Sequence, residues 1–181
     1  MDIRLAIPTD GAALSRIYGP IVEKTTISFE EVAPDHAEMS ARIKAVLRTH
    51  PWIVCEINRV VVGYAYATQH RTRAAYQWSC EVSAYVAEAH RGKGIARALY
   101  LKLFEVLSAQ GFHRAYAGIT YPNNPSVGFH SALGFSLVGV YEKVGFKHGH
   151  WRDVGWWCRE LQPQTSPPRA LLGLQEIHID W

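Results

Sequence analysis

The chain has 181 residues, 48% hydrophobic and 19% charged, which suits about one domain with a sizeable core. Aromatics at 12%, six of them Trp, exclude a disordered chain. A formal net charge of +3 with no basic run argues against a nucleic-acid-binding surface. No apolar stretch approaches the roughly 18 residues of a membrane span, and Met1-Asp2-Ile3-Arg4 lacks the apolar region of a signal peptide. Cys55, Cys80 and Cys158 are widely spaced and form no Cys-x-x-Cys. They read as buried thiols in a reducing compartment, so the expected location is the cytoplasm.

Ile3, Leu5 and Ile7 alternate with polar residues and predict a strand that Pro8 ends. Thr9 is a candidate cap for a helix with Ala13, Leu14, Ile17 and Tyr18 on one face, stopped by Gly19-Pro20. A second helix is expected over Asp35–Leu47. Two strands, Trp52–Ile57 and Val60–Ala67, flank a tight Asn58-Arg59 turn. A longer strand runs from about Tyr76 to Val86, bulged or interrupted because its length is unusual. A helix over Arg97–Gln110 closes at Gly111, and Ala115–Ile119 is a short buried strand. The helix Pro125–Leu133, capped by Asn123 or Asn124, closes at Gly134, and strands follow at Ser136–Tyr141 and Val154–Leu161. Residues 1–161 form one domain of α+β class with a mostly antiparallel sheet. Residues 162–181 are a Pro-rich linker and a tail that turns apolar again and docks on the domain or on a partner subunit.

The junction that carries chemistry is a strand ending at Val86, the loop Arg91-Gly92-Lys93-Gly94-Ile95-Ala96, and a helix. The first turn of such a helix offers unpaired backbone N–H groups and the positive end of its dipole. A phosphate can approach where Gly92 and Gly94 carry no side chain, with Arg91 and Lys93 adding charge. A solvated loop whose glycines only make the turn remains open on these residues alone. It is neither a Walker loop nor a dinucleotide fingerprint, which need differently placed glycines.

Arg-x-x-Gly-x-Ala at Arg91–Ala96, with Ser83–Val86 before it and Asn124…Leu133-Gly134-Phe135 after it, resembles the acetyl-CoA signature of the GNAT N-acetyltransferase superfamily. More narrowly, several blocks resemble the phosphinothricin N-acetyltransferases. They are Tyr76-x-Trp78-x-x-Glu81, Tyr121–Ser126, His130-x-Ala132-Leu133-Gly134-Phe135 and Gly145-Phe146-Lys147-His148-Gly149-x-Trp151-x-Asp153-Val154-Gly155. Two departures are Ala96, where many members carry Gly, and Arg71, where relatives carry Lys. The resemblance implies the GNAT acyl-CoA N-acyltransferase fold, a mixed, mostly antiparallel twisted sheet with a splayed central strand flanked by helices. It implies acetyl-CoA as donor, its pantetheine paired against Tyr85, Val86 and Ala87. Backbone donors from Lys93, Gly94, Ile95, Ala96, Arg97 and Ala98, beside Arg91 and Gly92, would hold its pyrophosphate, and Asn124 would meet the pantetheine arm. It further implies a homodimer and, as acceptor, the α-amino group of a glutamate-like phosphinic or sulfoximine amino acid.

Acetyl transfer to an amine of pKa about 8 or higher requires the ammonium to lose a proton first, at about 1.4 kcal/mol per pH unit of gap. Glu81 lies in an apolar, aromatic run where an unpaired charge is costly to bury. With the resemblance it is the candidate general base, although alternation alone also permits an outward-facing strand glutamate. His130 stands where many superfamily members have a tyrosine that protonates the leaving thiolate. A packed histidine bonded to backbone is its other reading, and the two roles could be reversed or shared. Arg71 and Arg73 are solvated loop arginines on composition alone. With the resemblance they become readers of a substrate carboxylate and phosphinyl-type group, with Phe29, Tyr76 and Ser83 lining the same pocket. His148 and His150, two apart on one strand face, have no third ligand at metal spacing, so no metal is expected. An acetyltransferase for another amine, such as a protein N-terminus, and a non-catalytic acetyl-CoA-binding module are the remaining alternatives.

Overall fold

The computed structural model describes residues 1–181. Seven strands are β1 (Asp2–Leu5), β2 (Trp52–Ile57), β3 (Val60–Gln69), β4 (Ser79–Val86), β5 (Arg114–Thr120), β6 (Ser136–Lys147) and β7 (His150–Glu160). Four helices are α1 (Gly11–Lys24), α2 (His36–Val46), α3 (Ile95–Gln110) and α4 (Asn124–Ala132). One sheet runs in the order β1-β2-β3-β4-β5-β7-β6. Every neighbouring pair is antiparallel except β4–β5.

That parallel pair decides the architecture. β4 and β5 are in register only over Ser79–Glu81 and Arg114–Tyr116. Beyond Glu81 the strands part, β4 continuing against β3 alone and β5 against β7 alone. A wedge opens between them, and the free edge of β4 keeps unpaired N–H and C=O groups that a strand-like ligand can satisfy.

Alternation along the strands assigns the two faces. Cys80 and Val82 join Ala65, Ala67, Ala115 and Ala117 in a core beneath α3. Trp52, Val54 and Tyr64 join α1 and α2 in a second core on the other face. Glu81, Ser83 and Tyr85 have the opposite parity to Cys80 and Val82, so they face the α1–α2 side.

Several boundaries differ from the sequence expectation. Gly19-Pro20 does not stop α1, which continues to Lys24 with Pro20 inside it. An interior proline costs about 3 kcal/mol. Ile21 and Val22, 4% and 1% exposed, extend the apolar face of Leu14, Ile17 and Tyr18, and each contributes roughly 1.5–3 kcal/mol on burial. Packing outweighs the proline. Thr9 is not the cap, because a 3-10 turn over Pro8–Asp10 leads into α1. The expected strand from Tyr76 begins only at Ser79, after a 3-10 turn over Ala74–Tyr76. Helix α3 starts at Ile95, ahead of the expected Arg97.

β6 and β7 form one long hairpin, extending past the expected ends at Tyr141 and Val154. The pairing absorbs irregularities at Leu137/Gly139 and Tyr141/Gly145, which break the alternation that marks a strand in sequence. His148 consequently sits in the hairpin turn at φ 50° while His150 opens β7, so the two histidines share no strand face. No cluster of three or more His, Cys, Asp or Glu is placed to hold a metal ion. Asn58 and Arg59 turn at φ 51° and 65°, and Asn123 caps α4 by accepting from Ser126 N–H. Residues 162–181 lie on the chain's own domain. Leu172 N–H donates to Gln110 C=O at 2.8 Å, Trp78 Nε1–H to Arg169 C=O at 2.7 Å, and Leu171 packs on the α3 core. No helix is long and apolar enough to cross a membrane.

Candidate active site

The connection from β4 to α3 passes through Gly92 at φ +72° and Gly94 at φ +78°. A Cβ at either position would meet nothing within 4 Å, so it is backbone conformation that requires glycine here. The first helical bond is Ala98 N–H to Gly94 C=O, and no side chain caps α3. The N–H groups of Ile95, Ala96 and Arg97 therefore have no helical partner and point, with the helix dipole, at whatever binds there.

A cavity of about 420 Å³ runs from this loop along the wedge to α4. Tyr85, Val86, Arg91, Gly92, Gly94, Ile95, Ala96 and Arg97 of the expected cofactor contacts line it. Ala87, Lys93, Ala98 and Asn124 do not. Ala87 N–H is spent on Val62 C=O, Lys93 Nζ donates to Ala89 C=O at 2.9 Å, and Ala98 N–H is already helical. At α4 it is Pro125 and Ser126, after Asn124, that reach the wall. The cradle suits acetyl-CoA: free donors for a pyrophosphate, an open strand edge for a pantetheine amide, and walls apolar enough for its chain.

Glu81 marks the apex of the wedge, as the last β4 residue paired with β5. Its carboxylate is not an orphan. Arg71 donates to Oε1 at 3.2 Å, and His70 Nδ1 lies 3.0 Å from the same oxygen. The His70 ring stacks on Tyr116 with centroids 4.3 Å apart and meets the Trp156 edge at 6.0 Å. Arg71 stands over Trp156 at 5.6 Å. The carboxylate is thus fixed by two partners while its side chain stays 32% exposed, so an amine or a water can reach it. Sequence reading missed His70 and Trp156, which carry no local signal. Only the crossing of β3, β5 and β7 gathers them.

His130 is buried, with its ring among Tyr100, Phe129 and Phe135. Nδ1 lies 2.8 Å from Ser126 C=O, which can only accept, so Nδ1 carries the proton. Nε2 is then the acceptor for the Tyr100 hydroxyl at 3.2 Å. Burial pushes the imidazole below its ordinary value, partly offset by the Ser126 bond. His130 and Tyr100, bonded to each other, both line the cavity.

The expected acceptor residues separate. Ser83 lines the cavity, and Arg71 and Tyr76 stand by His70. Arg73 is exposed at the start of the 3-10 turn, and its guanidinium has no partner in the chain. Phe29 lies against Gly145, where any Cβ would overlap its ring. Ile27, two residues earlier, was not anticipated, yet it lines the cavity.

An uncapped helix start and an open strand edge share one cavity. The Glu81 carboxylate stands at the apex of the wedge next to Val82 and Ser83 of its lining, though not itself part of it. The cradle is that of a transferase that takes its group from a thioester with a phosphorylated handle. Residues 3–156 match the family model of the acetyltransferase (GNAT) domain. The chain is 36% identical to a phosphinothricin N-acetyltransferase of Streptomyces viridochromogenes, over 98% of this chain and 96% of that protein. It is 33% identical to an L-methionine sulfoximine/L-methionine sulfone acetyltransferase of Salmonella typhimurium, over 92% and 98%. A crystal structure of a phosphinothricin acetyltransferase from Sinorhizobium meliloti in complex with acetyl-CoA superimposes at TM-score 0.84 and 36% identity, covering 88% of this chain and 87% of that one. The protein belongs to the GNAT family of acetyl-CoA-dependent N-acetyltransferases.

Proposed function

We propose that the enzyme acetylates the α-amino group of a small glutamate-like amino acid, of the phosphinothricin or methionine sulfoximine type, by direct attack in a ternary complex. The observation that carries this reading is Glu81 at the apex of the wedge, beside the cationic Arg71. Glu81 takes a proton from the substrate ammonium, directly or through one water. The freed nitrogen attacks the thioester carbonyl, the carbon–sulfur bond breaks, and the thiolate takes a proton from solvent in the cleft. A thiol of ordinary pKa about 8.5 leaves readily near neutrality, so no strong acid is required beside the sulfur. We assign His130 to holding the Tyr100 hydroxyl at the cavity wall, because a buried neutral imidazole with its one proton on Ser126 is poorly placed to donate.

The test is thiol release from acetyl-CoA with a panel of L-phosphinothricin, methionine sulfoximine, other amino acids, an uncharged primary amine and a peptide N-terminus. Release with the first two supports the reading. Release only with the peptide moves the enzyme to protein N-termini, and none with any amine leaves a binding module.

The two arginines divide the substrate's anionic ends, and their surroundings predict different defects. Arg73→Ala should raise KM for the amino-acid substrates about 10- to 100-fold with kcat held, as a uniformly bound contact does. Arg71→Ala should also lower kcat, since Arg71 helps to hold Glu81. Equal losses on the uncharged amine would return both to loop residues.

The exposed apolar side chains of edge strand β6, among them Leu137, Val138, Val144 and Phe146, support placing a second copy of the chain on that face. Sedimentation at micromolar concentration should give twice the chain mass. The monomer mass there would remove the dimer from the proposal.

A further inference from the structure

Lys147, the last residue of β6, is 7% exposed, and nothing in the proposed chemistry uses it. Its ammonium donates to three backbone carbonyls, Val22, Ser28 and Glu30, each at 2.7 Å. An ammonium has three donors, and all are satisfied on one stretch of chain. Val22 belongs to the last turn of α1, whose carbonyls lack helical partners and favour a cation. Ser28 and Glu30 belong to the connection between α1 and α2.

That connection has further ties. Tyr18 Oη lies 2.6 Å from Ser28 Oγ and donates to Glu30 at 2.9 Å, and Arg42 grips both Glu30 oxygens at 2.8 Å. The Tyr18 ring also packs, tilted, against that of Tyr85 of β4 with centroids 4.8 Å apart. The connection therefore lies over the β4 face that carries Ser83 and Glu81, and it presents Ile27 to the cavity and Phe29 to Gly145. Of its hydrogen bonds, those from Lys147 are the ones that come from the β6–β7 hairpin.

We propose that Lys147 is a positioning residue for the acceptor: it clamps the α1–α2 connection to the hairpin so that Ile27 and Phe29 form a fixed wall of the amine site. This rests on the amine binding on the α1–α2 face of β4. Ile27 lines the same cavity that cradles acetyl-CoA, but the free N–H donors for the pyrophosphate belong to the start of α3, which the clamp does not touch.

Lys147→Met keeps an unbranched stem only one atom shorter and removes every donor. With whichever amine the unmodified enzyme acetylates, the variant should raise the amine KM about tenfold or more, leaving kcat and the acetyl-CoA KM within about threefold. Amide hydrogen exchange should quicken in residues 25–34 and stay unchanged in α3 and β5. That arm needs no substrate, so it reports on the clamp even if glutamate-like amino acids prove not to be acceptors. Unchanged exchange in residues 25–34 overturns the clamp. Parallel loss of both KM values, kcat and protection across the sheet reduces Lys147 to a fold determinant and overturns it too. If Lys147→Met does not fold, Ile27→Ala at a solvent-facing position tests the wall with the clamp intact. A raised amine KM at unchanged Tm supports the proposal, and an unchanged one refutes it.

Discussion

Glu81→Gln is expected to lower kcat by about 10²–10⁴-fold while leaving both KM values near their original levels. The amide keeps the size of the carboxylate and can still accept from Arg71 and face His70, so the apex geometry is preserved. What disappears is proton acceptance. The deficit has a sign in pH. Below the pKa of the substrate amine most of it is ammonium, and the variant has nothing to deprotonate it. As pH rises toward that pKa, free amine supplies itself and the variant should approach the parent. Steady-state kinetics from about pH 6.5 to 9.5 would read this. A large loss that does not change with pH would mean that Glu81 only orients Arg71 and the substrate.

The second large effect is expected at the helix start. Gly94→Asp places a carboxylate where the pyrophosphate would meet the free N–H groups of Ile95, Ala96 and Arg97. Two unit charges 4 Å apart repel by about 4 kcal/mol at an effective dielectric near 20, so the acetyl-CoA KM should rise about 100-fold or more. The fold should survive. A Cβ at Gly94 meets nothing within 4 Å, and the left-handed φ of +78° costs an aspartate roughly 1–2 kcal/mol, short of a typical domain's stability of about 5–15 kcal/mol. Gly94→Asn carries the same backbone strain without the charge and should fall between parent and aspartate. Calorimetric titration with CoA measures all three. Unchanged affinity in Gly94→Asp would put the pyrophosphate elsewhere.

Local features of the chain were legible because their causes are local. The glycines at 92, 94, 111 and 134 all take positive φ, and Asn58-Arg59 and Asn123 act as turn and cap within a few residues of themselves. Such positions are read from short-range sterics and hydrogen bonding. The strand–loop–helix junction belongs to the same class, and with it the GNAT resemblance.

Other features depended on partners far along the chain. Pro20 inside α1 is decided by the burial of Ile21 and Val22 in the core shared with α2 and the sheet. The length of the β6–β7 hairpin is decided by cross-strand pairing that survives its own irregularities. At the site, sequence supplied Glu81, Arg71 and the glycine loop, but the His70–Glu81 contact, the Tyr116 and Trp156 walls and the Lys147 clamp arise where separate elements meet. His130 shows the difference most plainly. Its residue type and position suggested proton transfer, whereas the Ser126 carbonyl against Nδ1 and the Tyr100 hydroxyl against Nε2, which only the folded chain brings to it in a buried setting, set where its proton sits. Residue identity set what each group can do chemically, and tertiary packing decided its protonation, its partners and therefore which of those things it does.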